Sequence, residues 1–494
     1  MFECAETNES GGGATPEPAF GCICHSPAFA RLNAQLSARM SRRSFLTGAS
    51  AGAAALAMGA GAAQARIPAP PAGPVAFVNV KVFDGVANAL RTGLRVVIEG
   101  RVIKSVEPTD KPLAAGVQTI DGGGRTLMPG LIDAHWHAMM ASVPMAALLT
   151  ADIGYITLLA AEEAERTLMR GFTSVRDMAG PSFSLKRAID QGLNAGPRIW
   201  PSGAMISQTS GHGDFRFPYE VPSANNAPLS HGEAMGGGVI ADGVDAVLKR
   251  AREQLMLGAS QLKLAAGGGV ASNYDPIDAS QYTEPEFRAA VEAAENWGTY
   301  VAVHAYTPRA IQTALRAGVR SIEHGQMMDE ATAKMIADKG AWLSSQPFID
   351  DGGSSYPEGS PNRIKQLEMY RGTDTAFDLA KKLKLKTAFG TDILFNPPQG
   401  TALQSVRLAN MARWYAPVDV LKMATSANAE LLAMAGPRNP YPGKLGVVAE
   451  GAFADLLLVD GDPTADIRLV ADPAKNFVVI MKDGRIYKNT LSKG

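Results

Sequence analysis

Eight short apolar runs are spaced through the middle of the chain, and helical patterns separate most of them. They are Leu131–His137, Thr173–Met178, Arg198–Ser207, Gln261–Ala266, Tyr300–Tyr306, Ser321–Gly325, Trp342–Phe348 and Lys386–Ile393. Runs this short and this apolar suit parallel strands buried on both faces. Between them lie helical patterns such as Ala160–Arg170, Val244–Leu257, Thr283–Trp297 and Pro308–Ala317. Thr283 and Glu286 add a Thr-x-x-Glu capping box. Eight β/α units over roughly 300 residues predict an α/β chain folded as a (β/α)8 TIM-like barrel. A doubly wound open sheet is the alternative. No G-x-G-x-x-G or Walker pattern follows any of the runs, which weighs against it.

The two ends of the chain read differently. Ala76–Phe83, Leu94–Ile98 and Arg101–Val106 are short β patterns with turns at Glu99-Gly100 and Asp121–Gly124. Ala454–Asp460 and Phe477–Arg485 repeat that pattern near the C-terminus. Strands far apart in sequence can share a sheet, so both ends are expected to complete one small β-sandwich. The expected division is a leader over 1–65, sandwich parts over 66–126 and 436–494, and the barrel over 127–435.

The leader carries Ser41-Arg42-Arg43-Ser44-Phe45-Leu46-Thr47, then an Ala/Gly-rich stretch from Gly48 to Ala63. The paired arginines resemble the twin-arginine export signal, which hands folded proteins to its own translocation machinery. Small residues at Ala63-Gln64-Ala65 predict cleavage near Arg66 and a periplasmic or secreted enzyme. Met40 is a plausible alternative start. The stretch is too short and too rich in small residues for a stable membrane span. All three cysteines, Cys4, Cys22 and Cys24, lie before residue 25. After cleavage no disulfide, thiolate metal site or cysteine nucleophile would remain. Cys22-Ile23-Cys24-His25 is read as leader without a role in the mature protein.

Five of the eight runs end on a residue that can hold a metal. His135 and His137 end the first, Lys263 lies in the fourth, His304 in the fifth, His324 in the sixth, and Asp392 in the eighth. Residues two apart on a strand share a face, so His135 and His137 face one space. In a barrel, all of these runs open at the C-terminal mouth, where active sites lie. Four of the seven histidines fall at such strand ends, which scattered core histidines would not do. A protonated lysine beside two cations would be repelled; reaction with CO2 turns Lys263 into an anionic carbamate that bridges them. One metal would then take His135, His137 and Asp392, and the other His304 and His324. Nitrogen and oxygen donors without sulfur suit zinc, with manganese or cobalt also fitting. Two divalent metal ions are therefore the expected cofactor.

At these residues the chain resembles the amidohydrolase superfamily. Its binuclear members carry His-x-His, a carboxylated lysine, two histidines and an aspartate on strands one, four, five, six and eight. Met128-Pro-Gly-Leu-Ile-Asp-Ala-His135, Ser207-Gln-Thr-Ser-Gly-His-Gly-Asp214 and Lys263-Leu-Ala-Ala-Gly-Gly-Gly269 are most similar to the branch of Xaa-Pro dipeptidases and ochratoxin-hydrolysing amidases. The steps of 41 residues from Lys263 to His304 and 20 to His324 are similar too. The resemblance implies hydrolysis of an amide whose leaving group is an amino acid: a dipeptide, an N-acyl amino acid or an ochratoxin A-like aryl amide. Relatives often assemble, which implies a homo-oligomer. The competing expectations are an imidazolonepropionase-like cyclic amidase or deaminase, a lactonase, or a binding protein on a retired barrel.

The expected mechanism gives Asp392 the proton transfers, base first and acid second. His212, in a Gly-His-Gly loop, is expected to donate a hydrogen bond to the developing oxyanion. Arg216 and Tyr274 are expected to hold a substrate carboxylate. His231, in the loop Ser223–Gly238, reads as a solvent-exposed residue on a possible lid. Asp133 and Glu323 are expected to make structural contacts. With net charge −1 and 19% charged residues, the substrate is a small molecule or dipeptide, and a nucleic-acid partner is not expected.

Overall fold

The structure is a computed structural model that describes residues 67–221, 228–350, 354 and 356–491. The leader with its cysteines and paired arginines lies outside the described residues, as does part of the loop that carries His231.

Five strands open the described chain: β1 (Val75–Val82), β2 (Arg91–Glu99), β3 (Val102–Pro108), β4 (Gln118–Asp121) and β5 (Thr126–Pro129). Three more close it: β16 (Leu456–Val459), β17 (Phe477–Lys482) and β18 (Arg485–Asn489). All eight join one sheet in the order β18-β17-β16-β5-β1-β2-β3, with β4 beside β1. The join between the chain ends is β5 against β16, antiparallel, with Met128 opposite Leu457. The sheet thus reaches Pro129, three residues past the expected boundary at 126. Phe77, Val96, Ile98, Leu127, Leu458 and Met481 bury one of its faces.

Between the ends run ten parallel strands in two sheets. The smaller has the order β6 (Leu131–Trp136), β7 (Phe172–Asp177) and β8 (Arg198–Trp200). The larger is built from β9 (Met205–Ser207), β10 (Gly238–Ile240), β11 (Leu262–Ala265), β12 (Val301–Ala305), β13 (Ser321–His324), β14 (Trp342–Ser345) and β15 (Lys386–Phe389). Its order is β10-β9-β11-β12-β13-β14-β15. Every residue of β6, β7, β11, β12, β13 and β14 is buried, as strands covered on both faces must be.

The single run expected over Arg198–Ser207 is two strands. Pro201 has no N–H to give a ladder, and Gly203 turns the chain at φ 73°. A Cβ on Gly203 would lie 2.4 Å from the side-chain oxygen of Gln254. The third strand position is thereby split between β8 and β9, and β10 adds an unexpected edge.

Side chains and loops bridge both gaps between the two parallel sheets. On one side Ser260 N donates to Pro201 O at 2.7 Å, and Gln261 Nε2 donates to Trp200 O at 2.9 Å. On the other, Asn428 Nδ2 donates to Ile132 O and to Phe389 O, both at 2.8 Å. Its Oδ1 accepts from Phe389 N at 3.1 Å. Just beyond, Asp392 N donates to His135 O at 2.8 Å. Gly390 permits that approach: a Cβ there would lie 2.5 Å from His135 Cβ.

The helices follow their sequence signals. Val244–Leu257 and Pro308–Ala317 each stop at a left-handed glycine, Gly258 (φ 104°) and Gly318 (φ 103°). Glu284–Asn296 starts at the Thr283/Glu286 capping box, with Thr283 N donating to Glu286 Oε2 at 2.8 Å. The helix before β7 is longer than its pattern suggests, running Ile153–Met169 from an Asp152 cap. No described helix is long and apolar enough to cross a membrane.

Candidate metal centre

The strand ends deliver their polar side chains to one cavity of about 660 Å³. His135, His137, Lys263, His304, His324 and Asp392 all line it. His135 Nε2 and His137 Nε2 face the same oxygen, Asp392 Oδ1, at 3.4 and 2.9 Å. Ligands of a tetrahedral ion with bonds near 2.0–2.1 Å stand about 3.3 Å apart, so these separations suit one cation. Donor atoms of His135, His324 and Asp392 also fall within 4.8 Å of one another. His304 joins from the next strand, its ring centroid 4.4 Å from that of His324. His324 therefore meets both halves of the expected ligand set.

Two of these residues sit in unfavourable backbone. His324 has φ 80° and Asp392 φ 50°, both left-handed. Non-glycine residues there cost of order 1–3 kcal/mol, and such strain collects at functional sites.

The hydrogen-bond partners fix how the imidazoles present themselves. His135 Nδ1 lies 2.9 Å from Glu323 Oε2, His324 Nδ1 lies 2.6 Å from Gln346 Oε1, and His304 Nε2 lies 3.0 Å from Gly268 O. Each of those oxygens accepts, so each ring donates one N–H into the protein. Its other nitrogen is left bare, as metal-ligating histidines require. His137 Nδ1 is buried with no partner among the described residues. This donor set fits a divalent cation.

Burial dominates the electrostatics. It lowers the His135 pKa to about 4, with Lys263 adding to the effect, and holds His304 and His324 well below the ordinary histidine value. Neutral imidazoles are the form that ligates. Burial lowers the Lys263 amine to about 8, against the pull of Glu323 and Asp392. Burial also opposes ionisation of Asp392, but His135, His137 and His324 around it hold its carboxyl far below the carboxylate range.

Several supporting residues lie one layer back. Glu323, expected to be merely structural, takes the His135 proton bond and pairs with Arg176 at 2.7 Å, both residues fully buried. Burial alone would raise the Glu323 pKa, and Arg176 with His135 reverses this to a strong lowering. Asp133 accepts from His135 N and Thr391 N, both at 3.1 Å, and so ties β6 to the segment carrying Asp392. Asp177 accepts from Ala138 N at 2.8 Å and steadies the turn after His137. The signal for Arg176 and Asp177 was present in the sequence: adjacent charges on the otherwise uncharged run Phe172-Thr-Ser-Val. Gln346 carried no such signal.

His212 lines the cavity, its ring centroid 4.0 Å from that of His304. Burial lowers its pKa to about 4, so the ring is neutral near pH 7. Its Nδ1 lies 2.8 Å from Ser272 Oγ. Arg216 and Tyr274 also line the cavity. The Arg216 fork already holds Asp214, at 2.7 and 2.6 Å, and the Tyr274 hydroxyl donates to Arg216 O at 2.9 Å. His231 is exposed, and its Nε2 donates to Ala151 O at 3.1 Å. Met139, Met140, Met205, Met235, Phe217 and Leu394 add an apolar part to the same lining.

Comparison with known proteins adds a family and relatives. The amidohydrolase family model matches residues 126–491. Ochratoxinase from Aspergillus niger is 31% identical over 382 residues, covering 73% of this chain and 75% of that protein. The crystal structure of an amidohydrolase is 36% identical, with TM-score 0.77, and covers 85% of this chain and 100% of the other. A prolidase solved in complex with N-methylphosphonate-L-proline is 35% identical, with TM-score 0.76, covering 84% of this chain and 100% of the other.

Proposed function

We propose that this chain, which belongs to the amidohydrolase family, cleaves an amide bond whose leaving group is an amino acid. Membership makes it a hydrolase of carbon–nitrogen bonds. The observation that carries the finer reading is the shared focus of His135, His137 and Asp392 at one end of parallel strands, inside a cavity whose lining is also rich in apolar side chains. A lining rich in methionine, phenylalanine and leucine favours a large apolar acyl group. That supports N-acyl amino acids, dipeptides with a bulky first residue, and aryl amides of the ochratoxin type. The likeness to an ochratoxinase and a prolidase supports the same classes.

His135, His137 and Asp392 would hold one divalent ion, and His304 and His324 a second, with Lys263 between them as its carbamate. The lowered Lys263 pKa of about 8 supports carbamate formation, since only the neutral amine reacts with CO2. When bound, such ions, zinc by the donor set, would supply an acidified water and a polarised carbonyl. Asp392 does the proton work. It takes up the proton released as water adds to the carbonyl, then delivers it to the amine nitrogen as the C–N bond breaks. Arg216 and Tyr274 would hold the leaving carboxylate, Arg216 by sharing its guanidinium with Asp214.

Backbone and side-chain bonds across both gaps between the parallel sheets support closure into a (β/α)8 barrel, with the end sheet as its appendage. Export through the twin-arginine route rests on Arg42-Arg43 and is tested by fractionating expressing cells. Assembly into a homo-oligomer is tested by light scattering.

The decisive experiment is a turnover screen of zinc-loaded protein against N-acyl amino acids, Xaa-Pro and other dipeptides, and ochratoxin A. Turnover of substrates with large apolar acyl groups is expected; a silent panel would sink the reading. Lys263→Ala should lose both bound metal and turnover, read by elemental analysis and rate. Two retained ions at full rate would remove the carbamate.

A further inference from the structure

The hydrogen bonds behind His212 run in one direction. Asp275 Oδ2 accepts from Gly269 N at 2.6 Å and lies 2.8 Å from Ser272 Oγ. A carboxylate accepts only, so the Ser272 hydroxyl proton points to Asp275. The other acceptor within reach of that hydroxyl is Gly269 O, at the longer distance of 3.4 Å. Ser272 Oγ therefore has only lone pairs to offer His212 Nδ1, 2.8 Å away. The imidazole proton must sit on Nδ1. In the neutral ring, Nε2 is then a bare lone pair.

The seat is built to keep this direction. Ser272 and Asp275 are buried. Lys365, from the helix Pro361–Arg371, donates to the carbonyls of Gly269, Ser272 and Asp275 at 3.1, 2.9 and 2.6 Å, pinning the loop that carries both. A Cβ on Gly269 would lie 2.0 Å from His212 Nδ1, so only glycine leaves room for the ring.

We propose that Ser272 and Asp275 are positioning residues that hold His212 in its Nδ1–H form, so that it meets the substrate as a hydrogen-bond acceptor at Nε2. The partner it selects is a substrate N–H or O–H, not an oxyanion. This reverses the donor role expected of His212 from its loop. The assignment rests on the hydrolase reading for its functional meaning, but not for its test.

Zinc-loaded protein carrying 15N-histidine reports ring protonation in long-range 1H–15N spectra, with the His212 signal assigned by its loss in His212→Asn. Wild type is expected to show a protonated Nδ1 and a bare Nε2. Ser272→Ala should populate the other tautomer. On a substrate found by the screen, it should lower kcat by about 10–100-fold while KM changes little. Ser272→Thr keeps the hydroxyl and should restore both readouts. A protonated Nε2 in wild type overturns the proposal, and so does a Ser272→Ala variant with unchanged tautomer and kcat. Failure to hydrolyse any amide overturns the hydrolase reading alone, because the tautomer is read without turnover.

Discussion

Glu323 and Asp177 are the residues whose chemistry most exceeds what their neighbours in sequence suggest. Glu323 orients His135 and neutralises Arg176, and both partners of that ion pair are fully buried. Glu323→Gln keeps the shape but leaves Arg176 buried without a counter-charge. It should weaken metal binding by about 10–100-fold, measured as metal retained against a chelator series; full retention would mean that His135 needs no orienting partner. Asp177 offers a pH test. Burial lifts its pKa from 3.8 to about 7. The folded chain thus keeps a proton that the unfolded chain has already lost. This stability is complete below about pH 4 and is lost as pH rises through about 7, at about 1.4 kcal/mol per unit. Asp177→Asn should flatten that slope in urea midpoints taken from pH 5 to 8. An unchanged slope would assign the dependence to other groups.

At the scale of elements, the seam between β6 and β15 matters most, because His135 and Asp392 stand on its two sides. Asn428 satisfies backbone groups on both strands, and Asp133 ties β6 to the segment after β15, nearer the metal ligands. Asn428→Ala would strand those backbone groups in an apolar setting. A loss of about 3 kcal/mol is expected, measured by urea denaturation, with lower metal content at equal folded fraction. Unchanged stability would show that water replaces the amide. Elements with local signals, such as the capped helix Glu284–Asn296, needed no such long-range help to be read.

Across the whole molecule, the end sheet and the parallel sheets share one apolar core. Leu457, Phe477 and Ile480 from the C-terminal strands cluster with Leu131, Phe172 and Phe389. A chain ending at Ala435 loses β16–β18 and uncovers that cluster along with the β5 edge. Such a chain should not reach a cooperative fold, judged by circular dichroism and thermal melting. A sharp transition near that of the full chain would show that the parallel sheets stand alone.

The alternation of buried runs and capped helices, the His-x-His pair and the polar ends of the strands were legible in the sequence, because each is written in neighbouring residues and their period. So was the pairing of the two chain ends in outline, through their shared strand patterns. The contacts around the ligands were not legible. The Glu323–His135 bond spans 188 positions and the Ser272–His212 bond 60. No local period encodes contacts of that range. Which imidazole nitrogen carries the proton depends on acceptors that folding alone brings alongside, so the tertiary structure decided it.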